Sequence, residues 1–231
     1  MRYAIQPRDT VGAQIAGTDD LFPIGRVFCV GRNYEAHARE MGKDPERDPP
    51  FFFTKFPDAY VPTGADVPYP PGTSNYHHEI ELTVAIGKAG RNITEADAFG
   101  HIFGYATSLD MTRRDLQLDA REKGRPWDTG KSFEHAMPMA PIHLASETGK
   151  LVEGSIELKV NGEIRQTADL SELIWSVDEI IAHLSRLYTL EPGDLIMTGT
   201  PAGVGPVAAG DVLHGQVAGL TDLETRIVEA I

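Results

Sequence analysis

The sequence has very little cysteine and no long apolar run. Cys29 is the single cysteine among 231 residues, so no disulfide can form within the chain. It lies in the apolar stretch of residues 26–30, where we expect a buried structural thiol of the kind found in reducing compartments. Residues 1–10 lack the apolar core of a signal peptide, and no window is long enough to cross a bilayer. We therefore expect a cytoplasmic protein without a membrane partner.

Basic residues are also scarce relative to acidic ones. The chain carries 21 Lys and Arg against 34 Asp and Glu, a formal net charge of −13 at pH 7. Binding to nucleic acid needs a basic face for the phosphates, so this charge argues against a nucleic-acid partner. A small anionic substrate is still compatible with it, because a divalent metal with one lysine or arginine reverses the local field.

What the sequence does contain is a series of short apolar segments separated by glycine and proline turns. Because they alternate with only a few helical patterns, they favour a β-rich α+β fold over a doubly wound sheet. We expect a small N-terminal segment over residues 1–22, packed on a main domain over residues 23–231. Strands are predicted at residues 26–30, 51–55, 80–86 and 102–110, and Asn161-Gly162 predicts a type I′ hairpin turn.

Besides a short helix capped by Thr94, three helices are predicted from their capping residues. Asn33 is placed to cap a helix that Gly42 ends. Thr112, with Asp115 three positions on, has the spacing of a capping box. Ser176, followed by Glu179, predicts a third, amphipathic helix in the same way.

Three carboxylates stand near the ends of two predicted strands. Glu79 and Glu81 are two residues apart, so in a strand both project from one face with Cα atoms roughly 6.6 Å apart. Asp110 ends the strand predicted at residues 102–110. A hard divalent cation such as Mg²⁺ or Mn²⁺ prefers oxygen ligands of this kind. The alternative is a solvated strand face beside an unrelated aspartate, and spacing alone leaves both interpretations open.

Six motifs, in order along the chain, resemble the fumarylacetoacetate hydrolase family. They are VGRNYEAHARE, HHEIELTVAIGKAGRNI, GYATSLDMTRRDLQ, GRPWDTGKSF, KVNGEIRQ and GDLIMTGTPAGVG. The resemblance runs from about residue 26 almost to the C-terminus. Within the family it is strongest to the fumarylpyruvate hydrolase and acylpyruvase group, through FCVGRNYEAHAREMG followed by PPFFFTK.

The resemblance implies a fold and a metal site. The expected fold is a mixed β-sandwich roll with a few peripheral helices, in a protein that is usually a homodimer. The family holds Mg²⁺ or Mn²⁺ with three carboxylates, which fall on Glu79, Glu81 and Asp110 of this sequence. Spacing had left these residues undecided, and the resemblance favours the metal site.

The resemblance also implies roles for polar residues around that metal. A catalytic pair on a mobile lid helix falls on His37 and Glu40, and an active-site lysine falls on Lys131. Lys55 departs from the family pattern, because Phe56 separates it from the following proline, and we give it little weight. Contacts to the substrate fall on Arg114, Gln117 and Thr200.

Three functions are compatible with these residues. The first is metal-dependent hydrolysis of the C–C bond of an acylpyruvate, a 2,4-dioxo acid, with fumarylpyruvate as the first candidate. The second is decarboxylation or tautomerisation of oxaloacetate at the same metal site, which requires no attacking water. The third is a catalytically silent metal-binding protein kept for an interaction. The presence of His37, Glu40 and Lys131 beside the three carboxylates argues against the third.

Overall fold

The computed structural model describes residues 3–40 and 48–230, and most of its regular structure is strand. In chain order the strands are β1 (Gly12–Gln14), β2 (Leu21–Pro23), β3 (Val27–Gly31), β4 (Phe51–Lys55), β5 (Tyr60–Pro62), β6 (Asp66–Pro68), β7 (Tyr76–His78), β8 (Ile80–Ile86), β9 (Ile102–Leu109), β10 (Thr112–Arg113), β11 (Met137–Met139), β12 (His143–Leu144), β13 (Ser155–Val160), β14 (Glu163–Asp169), β15 (Leu195–Met197), β16 (Gly205–Pro206), β17 (Val212–Val217) and β18 (Leu223–Val228).

The helices are short and lie between these strands. They are α1 (Glu35–Glu40), α2 (Glu95–Ala98), α3 (Arg114–Glu122), α4 (Asp128–Lys131), α5 (Ala145–Thr148) and α6 (Val177–Leu187), with single 3₁₀ turns at Pro57–Ala59, Phe99–His101 and Leu170–Glu172. Within residues 3–40 and 48–230, no helix has the length and apolar character needed to span a membrane. The cytoplasmic location stays a prediction.

Two large sheets form the body of the protein. The larger sheet has the strand order β4-β3-β15-β8-β9-β11-β5, and β12 also pairs with β9. It is mixed, because β3–β15 and β5–β11 are parallel whereas β8–β9 and β8–β15 are antiparallel. Every residue of β8 is buried, since both faces of this central strand are covered.

The second sheet packs on the centre of the first. Its order is β14-β13-β17-β18-β6, and β13 contacts β8 while β17 contacts β9. The two sheets meet closely where Gly215 of β17 faces Ile80: a Cβ added to Gly215 would lie 3.0 Å from the Ile80 Cδ1 atom. The apolar core lies between these sheets. This β-rich arrangement with few helices confirms the predicted α+β class and excludes a doubly wound sheet.

Several predicted local features are confirmed. Asn161 and Gly162 have φ angles of 53° and 82° and join β13 to β14, as a type I′ turn requires. Ser176 caps α6, with the reciprocal Glu179 contact of a capping box. Cys29 is buried and forms no disulfide.

Two predicted helix caps are wrong, because tertiary partners take the side chains. Helix α3 begins after Arg113, and the Thr112 hydroxyl donates instead to the Asp110 carbonyl at 3.0 Å. Asn33 lies two residues before α1, and its amide joins both Trp175 and the Thr198 carbonyl. Gly42, the predicted end of α1, lies outside the described residues.

The N-terminal residues form the β1–β2 hairpin. Ile15, just after β1, pairs with Ile142 of the main body, and the Ala16 amide donates to the Ile142 carbonyl at 2.9 Å. Strand β2 runs across the predicted boundary between residues 22 and 23. The division into residues 1–22 and 23–231 stays a prediction.

Candidate active site

Three carboxylates meet where β8 and β9 come together. Glu79 occupies the one-residue break between β7 and β8, Glu81 is the second residue of β8, and Asp110 directly follows β9. The antiparallel pairing places Glu81 opposite Ser108, and the Asp110 amide donates to the Glu79 carbonyl at 2.8 Å. All three residues are buried, and one ligand oxygen from each lies within 4.8 Å of the others. The solvated strand face is therefore wrong.

Three buried cations surround these carboxylates. The Lys131 ammonium lies 2.7 Å from both Glu79 Oε2 and Asp110 Oδ2. The Arg114 guanidinium pairs with the other Glu79 oxygen, Oε1. Lys55, to which the sequence assigned little weight, lies 2.8 Å from Asp110 Oδ1. The structure corrects that expectation, since Lys55 is the last residue of β4 and its side chain is buried beside Asp110.

The two glutamates differ in acidity because their neighbours differ. Burial favours the protonated form of Glu79, but Lys131 and Arg114 outweigh it and hold its pKa well below the usual range. Burial also raises the pKa of Glu81, and the charges of Asp110 and Glu79 raise it further, against the opposing effect of Lys131 and the Gly199 amide. Lys131 stays charged: burial lowers its pKa, but Asp110 and Glu79 together raise it. Glu81 is thus the carboxylate that needs a further cation.

The donor set fits a divalent ion. Three buried carboxylates provide the hard oxygen ligands that Mg²⁺ and Mn²⁺ prefer. The buried Asp110 Oδ1 atom makes no hydrogen bond with any described residue, although Lys55 approaches it. Glu81 Oε2 is oriented by the Gly199 amide at 2.7 Å. Gly199 has a φ of 104°, and a Cβ added to it would lie 2.6 Å from the Asn33 Cβ. The carboxylates are therefore preorganised, and an ion would relieve their mutual repulsion.

A histidine–glutamate pair lies at the same cavity. His37 is buried on α1 and lines the cavity together with the three carboxylates. Its Nδ1 atom is 3.1 Å from Glu40 Oε2, one helical turn on. Glu40 also accepts from the amide of Gly203, at 3.2 and 3.3 Å. Helix α1 is thereby tied to the glycine-rich loop that follows β15.

Arg114, Gln117 and Thr200 line the cavity as well. Arg114 Nη1 donates to Gln117 Oε1 at 2.7 Å, so one turn of α3 fixes both side chains. Thr200 Oγ1 accepts from the amide of Gln166 at 2.8 Å. The structure thus places eight of the nine predicted site residues on one cavity wall, and holds the ninth, Glu40, against His37.

The comparison with known families agrees with this geometry. The family model described as "Fumarylacetoacetate (FAA) hydrolase C-terminal" matches residues 26–228. The chain belongs to the fumarylacetoacetate hydrolase family. The predicted resemblance is confirmed.

Individual relatives within the fumarylacetoacetate hydrolase family have different activities. The chain is 53% identical to a fumarylpyruvate hydrolase of Ralstonia sp over 178 residues, covering 77% of this chain and 92% of the relative. It is 42% identical to a mitochondrial oxaloacetate tautomerase of Homo sapiens over 204 residues, covering 87% of this chain and 90% of the relative.

A solved structure of the family shares the whole fold. The crystal structure of fumarylpyruvate hydrolase from Pseudomonas aeruginosa, in complex with Mn²⁺ and pyruvate, matches with a TM-score of 0.96 and 51% identity. The match covers 99% of this chain and 100% of that chain. The mixed β-sandwich roll expected from the resemblance is therefore confirmed, and the expected Mg²⁺ or Mn²⁺ is consistent with the buried carboxylates here.

Other residues of the site were missed by sequence reasoning. Gln166 of β14 is buried and accepts from the Ile80 amide and the His78 ring while donating to Thr200 and Pro201. Trp127 also lines the cavity. The sequence signal for both was their position inside the KVNGEIRQ and GRPWDTGKSF motifs.

Proposed function

We propose that the protein is a divalent-metal-dependent hydrolase of acylpyruvates, with fumarylpyruvate as its substrate and fumarate and pyruvate as its products. The observation that carries this proposal is the arrangement of His37 and Lys131 on the same cavity wall as the buried trio Glu79, Glu81 and Asp110. The identity to the Ralstonia sp fumarylpyruvate hydrolase supports the choice of substrate. The pyruvate in the Pseudomonas aeruginosa structure supports a 2-oxo acid in this cavity.

The three carboxylates hold the ion, and Arg114 and Gln117 hold the substrate. The ion, when bound, supplies Lewis-acid stabilisation for the negative charge that develops on the 2-oxo oxygen. Arg114 already donates to Gln117 and pairs with Glu79, so its guanidinium is fixed beside the carboxylates. From there it binds the substrate carboxylate with a charge-assisted hydrogen bond, and Gln117 and Thr200 complete the contacts.

His37 acts as the general base. An ionised Glu40 can only accept hydrogen bonds, so His37 Nδ1 carries the proton of the 3.1 Å contact and Nε2 is left as the basic nitrogen. Nε2 takes a proton from water as the water oxygen bonds to C4 of the acylpyruvate. Glu40 orients the ring and stabilises the imidazolium that results.

Lys131 acts at the oxyanion. Its ammonium is held between Glu79 and Asp110 at 2.7 Å from each, and it stays charged. It stabilises the negative charge on the C4 oxygen after water has added. The C3–C4 bond then breaks and its electron pair stays on C3. The imidazolium of His37 returns the proton from water to C3, which gives pyruvate, while C4 leaves as the new carboxyl group of fumarate.

The test replaces the proposed base. His37→Ala is expected to lower kcat by about 10²–10⁴-fold, the usual contribution of a general base. Its Mn²⁺ affinity stays near wild type, because His37 is not among the three carboxylate ligands. His214→Ala, on β17, is the matched control and should retain turnover. Equal loss of turnover and metal affinity in His37→Ala contradicts the assigned role, and a wild type that binds Mn²⁺ but turns over no 2-oxo acid revives the silent metal-binding protein.

The second candidate activity is tautomerisation or decarboxylation of oxaloacetate. Its support is the 42% identity to the human oxaloacetate tautomerase. The same Arg114 and Lys131 contacts serve it, but no water adds to the substrate. Assays of wild type with fumarylpyruvate and with oxaloacetate, each with Mg²⁺ and with EDTA, separate the two: fumarate and pyruvate appear in one case, and carbon dioxide or only an enol–keto change in the other.

We also propose that the protein is a homodimer, as is usual in the family. The observation behind this proposal is the family match over residues 26–228. Light scattering coupled to size-exclusion chromatography tests it, and a mass near 25.2 kDa, that of one chain, would contradict it.

A further inference from the structure

The cavity that holds the carboxylates continues beyond them. It adjoins a cleft of about 570 Å³, and the two share Arg32, Phe53 and Trp127 as common wall. The carboxylate end accounts for the 2-oxo acid part of a substrate. The shared wall lies where the rest of an acyl chain has to go.

This shared wall is aromatic. Trp127 packs edge-on against Phe51, with ring centroids 5.2 Å apart, and its ring is tilted against that of Phe53, with centroids 5.6 Å apart. The guanidinium of Arg32 lies over the Phe51 ring, 5.4 Å from its centroid. Aromatic walls favour a planar unsaturated chain, and the stacked guanidinium is held in place for an anion.

A second arginine comes from α3. Arg114, Gln117 and Arg121 are spaced i, i+3 and i+7, so they share one face of that helix. All three line the cavity. Seven residues of helix rise about 10.5 Å, and an extended seven-carbon chain with C–C bonds of about 1.5 Å spans roughly 7–8 Å. The chain is shorter than this rise by about 3 Å. That difference is within the reach of an arginine side chain, so a substrate whose first carboxylate meets Arg114 can bring its far end to Arg121.

The charges at the two ends of the cavity match a dianion. At the carboxylate end, Lys55, Lys131 and Arg114 pair with Glu79 and Asp110, and Glu81 is the carboxylate that needs the metal ion. At the far end, Arg32 and Arg121 are close enough that Arg121 adds to the effect of burial in lowering the pKa of Arg32. Two like charges in one cavity are stabilised by an anion between them.

We propose that Arg32 and Arg121 form a subsite for the distal carboxylate of a dicarboxylic substrate, and so select a fumaryl over an acetyl group. This inference rests on the proposed function for its choice of substrate. The subsite lies at the end of the cavity away from the carboxylate trio, with the aromatic wall of Phe51, Phe53 and Trp127 along the chain between them. It makes the enzyme specific for 2-oxo acids that carry a second carboxylate as the seventh carbon of the chain.

The test uses two ligands that cannot be hydrolysed because they lack a C4 carbonyl. 2-Oxoheptanedioate and 2-oxoheptanoate have the same length and differ only in the terminal carboxylate. Calorimetric titration of the Mn²⁺-loaded wild type is expected to show about 10–100-fold tighter binding of the dianion, the effect of charge-assisted hydrogen bonds. Arg32→Gln and Arg121→Gln should each bring this ratio toward one. Arg226→Gln, on β18, is the matched control and should keep it.

The outcomes separate this inference from the proposed function. If wild type binds the dianion and the monoanion with nearly equal affinity, the inference is overturned. It is also overturned if both arginine variants keep the affinity ratio of wild type. Loss of affinity for both ligands by the same factor also overturns it, because it shows a general structural effect. A wild type that discriminates between the ligands but does not hydrolyse fumarylpyruvate keeps the subsite and refutes the proposed hydrolysis.

Discussion

Glu81→Gln tests whether the buried carboxylates destabilise the metal-free protein and are needed to bind the metal. The ligand oxygens of Glu79, Glu81 and Asp110 lie within 4.8 Å of one another. At that separation two unit charges repel by about 3.5 kcal/mol at an effective dielectric of 20. Glutamine has the shape of glutamate, can still accept from the Gly199 amide, and removes both repulsions on Glu81. Metal-free Glu81→Gln is therefore expected to be at least as stable as wild type, although losing a buried hydrogen-bonding group usually costs about 1–3 kcal/mol.

With the metal bound, wild type should instead be more stable than Glu81→Gln. With Mn²⁺ at about 100 times its Kd, wild type gains about 2.7 kcal/mol, which corresponds to roughly 5–11 °C in Tm for a chain of this size. If the lost ligand weakens binding by about 100-fold, Glu81→Gln gains only about 0.4 kcal/mol, or roughly 1–2 °C.

Scanning calorimetry of EDTA-treated protein, with and without Mn²⁺, measures both effects. Glu157→Gln on β13 removes the same charge elsewhere and should keep the full shift of wild type. The reasoning is refuted by a Glu81→Gln protein that is less stable than wild type without metal, or by one that keeps the Mn²⁺ shift.

Further predictions concern the surroundings of the carboxylates. Lys131→Met removes the cation that bridges Glu79 and Asp110, and should lower the free energy of unfolding in urea by about 3–5 kcal/mol. Lys150→Met, at an exposed ion pair, should lower it by at most about 1 kcal/mol, and equal costs contradict the buried bridge. Gln166→Leu leaves the Ile80 amide without its hydrogen-bond acceptor. The free energy of unfolding, measured in the same urea assay, should fall by about 1–3 kcal/mol for each lost partner. An unchanged unfolding midpoint contradicts this prediction. Because the pKa of Glu81 is raised, the metal-free protein should lose stability as the pH rises from the ordinary carboxyl range toward that pKa. Over the same range the Mn²⁺ affinity should rise by up to about tenfold per pH unit, because binding releases the proton. Calorimetric titrations in buffers of different ionisation enthalpy detect the released proton, and a pH-independent affinity refutes this prediction.

Local features were predictable wherever neighbours along the chain decide the structure. The apolar runs that became β8 and β9, the Asn161-Gly162 turn and the Ser176 cap each depend on backbone conformation and short-range hydrogen bonds. Thr112 and Asn33 failed as caps for the opposite reason. Each side chain found a partner elsewhere, on Asp110 or on Trp175 and Thr198, and such partners are visible only after folding.

The candidate site divides in the same way. The spacing of Glu79 and Glu81 placed two carboxylates together but left a solvated face open, and only the resemblance to a family favoured the metal. The pairing of β8 with β9 then brought Asp110 beside them and buried all three. Burial makes the repulsion strong, and so makes a cation necessary.

The sequence by itself determined the strands, the turns and, through its motifs, the family and eight residues on the cavity wall. Tertiary structure alone decided the charge environment, because Lys55 and Lys131 reach Asp110 from β4 and α4, far from it in the chain. It also decided that Arg32 and Arg121 share a cavity. Electrostatic energy depends on the distance between charges and on their burial, and neither can be read from the sequence alone.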